Sequence, residues 1–356
     1  MAVIGVGALG RHHARILSEL SEVELVAVAD SRIEQGQEIA AKCHTQWVAD
    51  YCELVNSDLV DAVSVVVPTI AHGNVAGDFL AAGIPVLVEK PLAASVAEAR
   101  ALVELARDNQ TLLQVGHIER FNPAFQAARA KIDQPKYIRA ERTSTYTFRS
   151  TDIGVVHDLM IHDIDLVLAL VQSPLRSVEA FGVTVMGGHE DAVQARLRFE
   201  DGCIADLTAS RISPTAARSL QTWSRQGCVT CDLHTRDVKQ FVQADALRFG
   251  PSPLVLARKP GADIERLKRD VFGRFVRVAE VPVEGSGPDA LTRELADFVD
   301  CVRHQRRPEV DGEQGLAAML VADQVLQSVA EHQWDGHAAG AIGPQPLTAF
   351  ADRDAA

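Results

Sequence analysis

The sequence predicts an α/β protein with an N-terminal, doubly wound parallel sheet and a following α+β domain, whose sheet is open-faced and mostly antiparallel. Over the first 116 residues, short β-branched runs alternate with helical segments, which is typical of a parallel sheet covered on both faces. After Asn122, strands alternate between apolar and polar residues, which indicates one exposed face. The length of 356 residues favours two domains over one core.

The first domain is predicted over residues 1–118, from strands that are almost wholly apolar, as parallel strands covered on both faces should be. The predicted strands are Ala2–Val6, Val23–Ala29, Thr45–Val48, Asp61–Val67, Pro85–Val88 and Thr111–Val115. The predicted helices between them are Arg11–Leu20, Arg32–Lys42, Ala71–Ala82 and Val96–Arg107.

The second domain is predicted over residues 119–335, and residues 336–356 are predicted to be a disordered tail because they are rich in Ala, Gly and Pro without periodicity. The predicted helices are Ala124–Lys131, about 155–171, Asp289–Arg303 and Gly315–Glu331. The predicted strands include Lys136–Phe148, Ala192–Phe199, Ile204–Ser210 and Gly227–Leu233.

Composition excludes several classes of protein. A net charge of −13 argues against nucleic acid or an anionic membrane surface as partner, because both require a basic surface. No apolar run reaches the length of a membrane span, and the N-terminus lacks the layout of a signal peptide. Six cysteines in so long a chain do not form the pattern of a disulfide framework. We therefore expect a cytoplasmic protein.

A glycine motif follows the first strand directly. Gly5, Gly7 and Gly10, with Ala8 and Leu9 in the loop, form a GxGxxG turn between a strand and a helix. The first glycine makes the turn, the second admits a pyrophosphate, the third allows close packing, and the helix N-terminus attracts the phosphates.

The residue that follows the second strand bears on the choice of dinucleotide. Asp30 lies 20 residues past Gly10, where a carboxylate accepts the ribose hydroxyls and repels a 2′-phosphate. The sequence therefore predicts NAD as cofactor, with Arg32 leaving NADP as the less favoured choice.

A helix of the second domain carries acid–base residues. Asp158, His162 and Asp165 have the spacing i, i+4 and i+7, so they lie on one helix face. A histidine between carboxylates can take a hydroxyl proton near neutral pH. On spacing alone, a solvated polar face or a core histidine remains an equal alternative. No third metal ligand is visible nearby, so no metal is predicted.

Lys90 follows an apolar strand at the edge of the sheet where ligands of parallel sheets bind. A lysine held there can hydrogen-bond a reacting oxygen and stabilise its developing charge. Glu89 can hold a cofactor ribose or restrain the lysine. For a lysine seen alone, the default interpretation is a surface lysine after a strand.

With these residues in place, the chain resembles the Gfo/Idh/MocA family of nicotinamide-dependent sugar and cyclitol oxidoreductases. The resemblance rests on motifs that occur in the family's order: the glycine motif with His13, Pro68–His72, Glu89-Lys90-Pro91, Gly116–Pro123 and Asp158–Asp165. It implies a Rossmann domain and a homodimer or homotetramer formed through the open sheet face.

The resemblance also implies roles for particular residues. Lys90 and His162 are implied to be catalytic with Asp158, and all three are implied to contact the substrate. The implied cofactor contacts beyond the glycine loop, Asp30 and Arg32 are Pro68, Thr69, His72, Glu89, Lys90 and His117.

Two segments, 152–165 and 199–211, are similar to those of family members that act on nucleotide sugars. This similarity implies oxidation of a ring hydroxyl, at C3 of UDP-N-acetylglucosamine, to a ketone. The alternatives are a dehydrogenase of a free polyol such as myo-inositol and a non-catalytic NAD-binding regulator. The retained Lys90 and His162 argue against the regulator.

A nucleotide sugar carries two phosphates, so arginines of the second domain are candidate contacts. Arg211 and Arg218 bracket a loop at the end of a strand, and Arg120 lies at the domain crossing. The alternatives are ordinary surface charge for Arg211 and Arg218, and a lock between the two domains for Arg120. The basic run 258–277 is predicted to be an exposed insertion or a subunit contact, and Cys228 and Cys231 are predicted to be structural because a strand points them to opposite faces.

Overall fold

The computed structural model describes residues 1–148, 153–186, 188–285 and 287–332, so the predicted tail 336–356 lies outside the described residues. The chain divides into two compact units. The first comprises Met1–Phe121 and Gly287–Gln324, and the second comprises Asn122–Ser286 and Val325–Ala356.

The first unit contains a six-stranded parallel sheet in the order β3-β2-β1-β4-β5-β6. Its strands are β1 Ala2–Ile4, β2 Ala27–Ala29, β3 Gln46–Val48, β4 Val63–Val65, β5 Val86–Glu89 and β6 Leu113–Gly116. This is the Rossmann strand order, which places a ligand crevice at the carboxyl ends of β1 and β4, where the order reverses. The predicted fold of this part of the chain is confirmed, with shorter strands than the sequence indicated.

Helices cover the sheet at the predicted places. They are α1 Gly10–Glu19, α2 Ile33–Lys42, α3 Cys52–Val55, α4 His72–Ala81 and α5 Val96–Asp108, with short 3₁₀ turns over Thr69–Ala71 and Ile118–Phe121. The sequence analysis missed α3, since one turn is too short to show a helical period. The hydroxyl of Ser95 accepts a hydrogen bond from the amide of Glu98 and so caps the N-terminus of α5.

Helix α11, Ala290–His304, packs into the core of the first unit, whereas the sequence division at residue 118 placed it in the second domain. Leu295, Phe298 and Val299 lie in the same buried cluster as Val3 and other residues of the parallel sheet and its helices. Helix α12, Gly312–Glu331, begins in the first unit and ends in the second. Helix α11 belongs to the first unit because its apolar face packs there. The sequence does not indicate which surface that face contacts.

The second unit contains an eight-stranded sheet in the order β14-β13-β12-β11-β7-β10-β9-β8, in which only β7 and β10 pair in parallel. The strands are β7 Pro135–Thr143, β8 Leu175–Val183, β9 Ala192–Phe199, β10 Ile204–Ser210, β11 Ala217–Ser224, β12 Gly227–Asp232, β13 Val238–Gln243 and β14 Val276–Glu280. The mostly antiparallel sheet is therefore confirmed.

One face of this sheet is buried and the other is open. Along β9, buried residues alternate with more exposed ones over its whole length. On the buried face, Ile138, Leu197 and Phe199 are almost inaccessible to solvent. Helices α6 Pro123–Arg129 and α7 Ile161–Leu170 pack against strands of this sheet.

The helix predicted over about 155–171 is not regular. A π-helical turn occupies Val156–Met160, and α7 continues from Ile161. A π turn widens the backbone by one residue and is frequent at functional sites. Asp158 lies in this turn and His162 lies beyond it, so the exact i, i+4 geometry predicted for an α-helix does not apply between them.

Between β13 and β14 lies an insertion with three short helices, α8 Asp245–Arg248, α9 Pro253–Ala257 and α10 Ile264–Arg269. Two of its large apolar side chains are exposed, Phe249 by 83% and Phe272 by 64%, while Phe275 is 2% exposed. The basic side chains of 258–277 are exposed, and a subunit contact through them stays a prediction. Across the described ranges, no helix combines the length and the apolar character needed to cross a bilayer.

Candidate active site

The glycine loop joins β1 to α1 in a conformation that only glycine allows at two positions. Gly5 has φ +87°, and a Cβ there would lie 2.7 Å from the carbonyl oxygen of Val66. A Cβ on Gly10 would lie 1.9 Å from the carbonyl oxygen of Gly5. Gly7 differs, because a Cβ there would meet only the Arg32 guanidinium, at 3.5 Å. The fold therefore requires Gly5 and Gly10, while Gly7 leaves open space for a ligand.

A cavity of about 880 Å³ lies over this loop, within the size range of cofactor pockets. Its lining includes six of the predicted cofactor contacts, namely Gly5, Gly7, Ala8, Asp30, Arg32 and Pro68. Leu9, 40% exposed, precedes α1. The open cradle above Gly7, the free end of a helix and a carboxylate at the end of β2 fit a dinucleotide.

Asp30 is held at the end of β2 by main-chain and side-chain donors. Its carboxylate accepts hydrogen bonds from the amide of Val6 (3.0 Å) and from the amide and Nε of Arg32 (2.9 and 3.2 Å). Burial raises the pKa of Asp30, but the hydrogen bonds from Arg32 and Val6 outweigh it and hold the pKa below its ordinary value. Asp30 is therefore ionised at neutral pH and ready to accept ribose hydroxyls.

The sequence analysis missed Tyr51, which lines the same cavity next to Asp50. Its hydroxyl donates a hydrogen bond of 2.8 Å to Asp78. Burial, and then this carboxylate, raise the pKa of Tyr51, so the phenol stays protonated. Tyr51 follows β3, and the rule that ligands bind beyond the carboxyl ends of parallel strands could have identified it.

Glu89 ends β5 and its carboxylate is almost enclosed. Its Oε1 lies 3.2 Å from Nε2 of the buried His13, and its Oε2 accepts a 3.3 Å hydrogen bond from the amide of Lys90. A Cβ on Gly116 would lie 2.8 Å from the same carboxylate. The half-buried Lys90 follows, joined to Pro91 by a cis peptide bond. Lys90 thus leaves the carboxyl end of a central strand, as predicted.

His72 begins α4 and is buried between two main-chain segments. Its Nδ1 lies 2.9 Å from the carbonyl oxygen of Pro91, and its Nε2 lies 3.0 Å from that of Val67. Burial lowers the pKa of His72, although both carbonyl groups oppose this effect. The structure places the ring against the turn that follows Lys90. The half-buried Thr69 begins the preceding 3₁₀ turn, and cofactor contacts by both residues stay predictions.

His117 and Arg120 are buried in the first unit, 1% and 2% exposed. Arg120 Nη2 donates to the carbonyl oxygen of Glu309 at 3.1 Å and lies 3.3 Å from its carboxylate. This pair joins the end of the first segment to the segment before α12. The structure therefore gives Arg120 a structural partner, and contacts of either residue with a ligand stay predictions.

In the second unit, the half-buried Asp158 and His162 stand where the π turn meets α7, and the Nδ1 atom of His162 is fully buried. Asp163 forms a buried ion pair with Arg142 of β7 at 2.8 Å. Asp165 is 2% exposed and so points into the protein. The helix is thereby anchored to the sheet, which fixes the place of His162.

Arg211 and Arg218 differ in their surroundings. Arg211 is buried, its Nε lies 2.8 Å from the fully buried Asp191, and its Nη1 donates 2.7 Å to the carbonyl oxygen of Ile153. Arg218 is exposed, and it lies opposite Arg142 in the pairing of β11 with β7. Arg211 therefore anchors the start of the helical segment. The phosphate contacts predicted for both residues stay predictions.

All six cysteines are free. Cys228 and Cys231 lie in β12 and are each 2% exposed, in agreement with the predicted structural role. Within the part of the chain that the structure describes, no group of three or more His, Cys, Asp or Glu side chains could hold a metal ion.

Two parts of the sequence match the models of one protein family. Residues 1–117 match the profile described as an oxidoreductase family with an NAD-binding Rossmann fold, and residues 124–229 match the GFO/IDH/MocA C-terminal domain. The chain belongs to the GFO/IDH/MocA oxidoreductase family. The matched N-terminal domain of this family binds NAD, and the cavity over the glycine loop fits a dinucleotide. NAD is therefore the cofactor.

Several dehydrogenases resemble this member of the family over nearly its whole length. The UDP-N-acetylglucosamine 3-dehydrogenase of Acidithiobacillus ferrooxidans is 32% identical, with 92% of this chain and 96% of that protein covered. Its solved structure has a TM-score of 0.80. The inositol 2-dehydrogenase of Pseudomonas fluorescens is also 32% identical, with 94% and 95% covered. This GFO/IDH/MocA protein is thus a dehydrogenase that acts on a hydroxyl group of a small molecule.

Proposed function

We propose that the protein oxidises the C3 hydroxyl of UDP-N-acetylglucosamine to a ketone with NAD⁺. The observation that carries the proposal is the similarity to the A. ferrooxidans UDP-N-acetylglucosamine 3-dehydrogenase, at 32% identity and a TM-score of 0.80 over 92% of the chain. A 3-keto sugar is the kind of product that an aminotransferase consumes.

The cofactor is held by residues of the first unit. The glycine loop offers its amides and the N-terminus of α1 to the pyrophosphate, and Asp30 accepts the ribose hydroxyls. Pro68, Thr69, His72, Glu89 and His117 are the proposed contacts towards the nicotinamide. When bound, NAD⁺ supplies the acceptor for the hydride that leaves the carbon.

His162 takes the hydroxyl proton, because a neutral imidazole is a competent base near pH 7. Asp158 favours the imidazolium that forms. Lys90 donates a hydrogen bond to the reacting oxygen and stabilises its negative charge as the carbon–oxygen double bond forms. The roles of these three side chains are supported by their places at the end of β5 and at the π turn.

Arg218 is the better candidate for a phosphate contact of the nucleotide. The side chain of Arg218 is exposed at the start of β11, whereas that of Arg211 is buried against Asp191. Taking Arg211 away from Asp191 would leave a buried carboxylate without its cation, which is costly. Arg120 has a comparable buried pairing with Glu309, so its substrate contact is the weaker part of the proposal.

The second candidate function is oxidation of a free polyol. The P. fluorescens inositol 2-dehydrogenase is as similar in identity as the nucleotide-sugar enzyme. A non-catalytic NAD-binding regulator is disfavoured, because cofactor binding alone gives no purpose to His162. We further propose that the open sheet face joins copies into a homodimer or homotetramer, and that the protein works in the cytoplasm.

Formation of NADH with a panel of substrates tests the proposal. The panel holds UDP-N-acetylglucosamine, UDP-glucose, myo-inositol and glucose, each with a trap for the ketone. We expect turnover with UDP-N-acetylglucosamine, and a raised KM without a changed kcat in Arg218→Gln. Turnover only with myo-inositol or glucose contradicts the proposed substrate while leaving the dehydrogenase chemistry in place.

A further inference from the structure

A buried histidine of α1 connects two strands of the parallel sheet. His13 is fully buried, with Nδ1 2.9 Å from the hydroxyl of Ser64 in β4 and Nε2 3.2 Å from Oε1 of Glu89 in β5. Ser64 pairs with Leu87, and Glu89 lies two residues further along the same strand. Side chains alternate along a strand, so Ser64 and Glu89 lie on the same face, beneath α1.

The polar side chains of Ser64, His13 and Glu89 lie in an otherwise apolar layer. The cluster around them contains Val3, Ala14, Leu17 and Leu87. Burying an imidazole and a hydroxyl in such a layer costs free energy unless both are paired, and an apolar residue would serve packing better. The last of these polar side chains is that of Glu89, which is only 10% exposed. The position of His13 therefore points to a role in holding the Glu89 carboxylate.

One tautomer of His13 suits both neighbours. When the hydroxyl of Ser64 donates to Nδ1, the ring proton lies on Nε2, which faces the carboxylate of Glu89. Nε2 of His13 lies within ion-pair distance of Glu89 without forming a hydrogen bond, so the contact is electrostatic. Ser64 thus fixes the ring, and the ring attracts the carboxylate.

The main chain at Lys90 is held from both sides. On one side, Glu89 accepts a hydrogen bond from the amide of Lys90 while His13 holds its other oxygen. On the other side, His72 contacts the carbonyl oxygen of Pro91 at 2.9 Å. Two buried histidines therefore brace the residues that flank Lys90.

We propose that His13 and Ser64 are positioning residues for the dehydrogenase reaction. They fix the Glu89 carboxylate and, through the Lys90 amide, the segment that carries the Lys90 amine. The inference rests on the role that the proposed function gives to Lys90. His13 thus does more than pack α1 against the sheet, because it affects the position of a group in another element.

The test compares His13→Leu, His13→Gln and Ser64→Ala with the control His12→Leu in the full-length protein. Leucine fills the volume, whereas glutamine keeps an N–H donor. His12 is exposed one residue earlier on the same helix. The readouts are hydrogen exchange of the Lys90 amide, NADH affinity by fluorescence, kcat and KM, and the melting temperature.

We expect His13→Leu to speed exchange of the Lys90 amide while the amides of α1 keep their protection. The variant should lower kcat by about 10- to 100-fold, because a small displacement of a catalytic group costs that much. KM should change little. His13→Gln should recover part of kcat, and His12→Leu should match the wild type.

A double-mutant cycle separates positioning from packing. If Ser64 acts only through His13, then Ser64→Ala should cost nothing more in a His13→Leu background. When Glu89→Gln is combined with His13→Leu, the loss of kcat should be smaller than the product of the two single losses, since contacting residues couple.

Unchanged exchange at Lys90 and unchanged kcat in a folded His13→Leu variant would overturn the inference. So would independent, multiplying losses in the double variants. Exchange at Lys90 needs no substrate, so the inference is decided even when UDP-N-acetylglucosamine is not turned over. In that case the substrate proposal fails alone, and kcat is measured with whichever sugar or polyol of the panel reacts.

Discussion

Two side chains carry the proposed proton chemistry, and their removal should separate turnover from cofactor binding. Lys90→Met and His162→Asn should each lower kcat by about 100-fold or more, as loss of a general base or of an oxyanion contact does. NADH affinity should be retained, because the cavity over the glycine loop is untouched. Steady-state kinetics and NADH fluorescence titration measure both quantities.

The matched controls are Lys42→Met and His12→Asn, which alter exposed residues of the same types. Both should behave like the wild type. Retained turnover in Lys90→Met or His162→Asn would remove that residue from the mechanism.

His72 gives the protein a predictable loss of stability in acid. Burial lowers its pKa below the ordinary 6.5, so between the two values the unfolded chain binds more protons than the folded one. The stabilising contribution is therefore complete above about pH 6.5 and is lost as the pH falls through the lower folded pKa. His72→Gln lacks this titration, so its stability deficit relative to wild type should shrink from about pH 7.5 to about pH 5.

Melting temperatures of both proteins across this range check the expectation. A deficit that stays constant with pH would show that His72 does not titrate differently in the folded and unfolded states.

At the residue level, the sequence predicted what depends on local spacing. Asp30 could be predicted because it follows β2 at a set distance from Gly10, and both lie where the dinucleotide rule requires. The contact of His13 with Ser64 and Glu89 joins three elements far apart in the chain. Similarly, the partner of Arg211 is Asp191, which no spacing rule identifies. Such contacts exist only once the strands are paired.

At the level of elements, alanine substitutions at two glycines of the strand–loop–helix unit should have different effects. Gly10→Ala should lower the melting temperature and abolish NADH binding, because its Cβ would collide with the Gly5 carbonyl oxygen. Gly7→Ala should leave the melting temperature nearly unchanged, since the nearest atom lies 3.5 Å away, yet weaken NADH binding. Thermal melting and fluorescence titration of the two variants provide the comparison.

Equal losses of stability in Gly7→Ala and Gly10→Ala would contradict this division between a glycine needed by the fold and one needed by the ligand.

Elements with a clear period could be predicted closely. Strands β9 and β10 have exactly the predicted bounds, because apolar and polar residues alternate throughout them. The π turn at Val156–Met160 could not be predicted, because widening one helical turn leaves no mark on hydrophobic period. Helices α8 to α10 were missed because each spans six residues or fewer.

At the scale of the whole molecule, the open sheet face carries a row of apolar side chains. Trp223, Phe241 and Val278 are joined by successive strand pairings through Cys228. Trp223 is 48% exposed and Val278 is 41% exposed. Apolar surface of this kind is stabilised when a second copy covers it.

Trp223→Glu should therefore shift the protein from an oligomer to a monomer in sedimentation velocity. The control is Leu59→Glu, at an exposed apolar side chain of the first unit. A wild-type protein that sediments as a monomer, or an oligomer unaffected by Trp223→Glu, would contradict assembly through this face.

The order of the two folds along the chain could be predicted, but their boundary could not. Alternation of strands and helices ends near residue 118, and the parallel sheet does end with β6. The return of α11 to the first unit depends on which apolar surface its buried face meets, and Leu295 and Phe298 would suit either core. Composition alone does not assign a helix to one of two sheets.

The most direct test of the central claim is the fate of the hydrogen on C3. UDP-N-acetylglucosamine deuterated at C3 is incubated with the protein and NAD⁺, and mass spectrometry follows both products. The account predicts singly deuterated NADH together with a trapped 3-keto nucleotide sugar. Unlabelled NADH, or no NADH from this substrate, would contradict it.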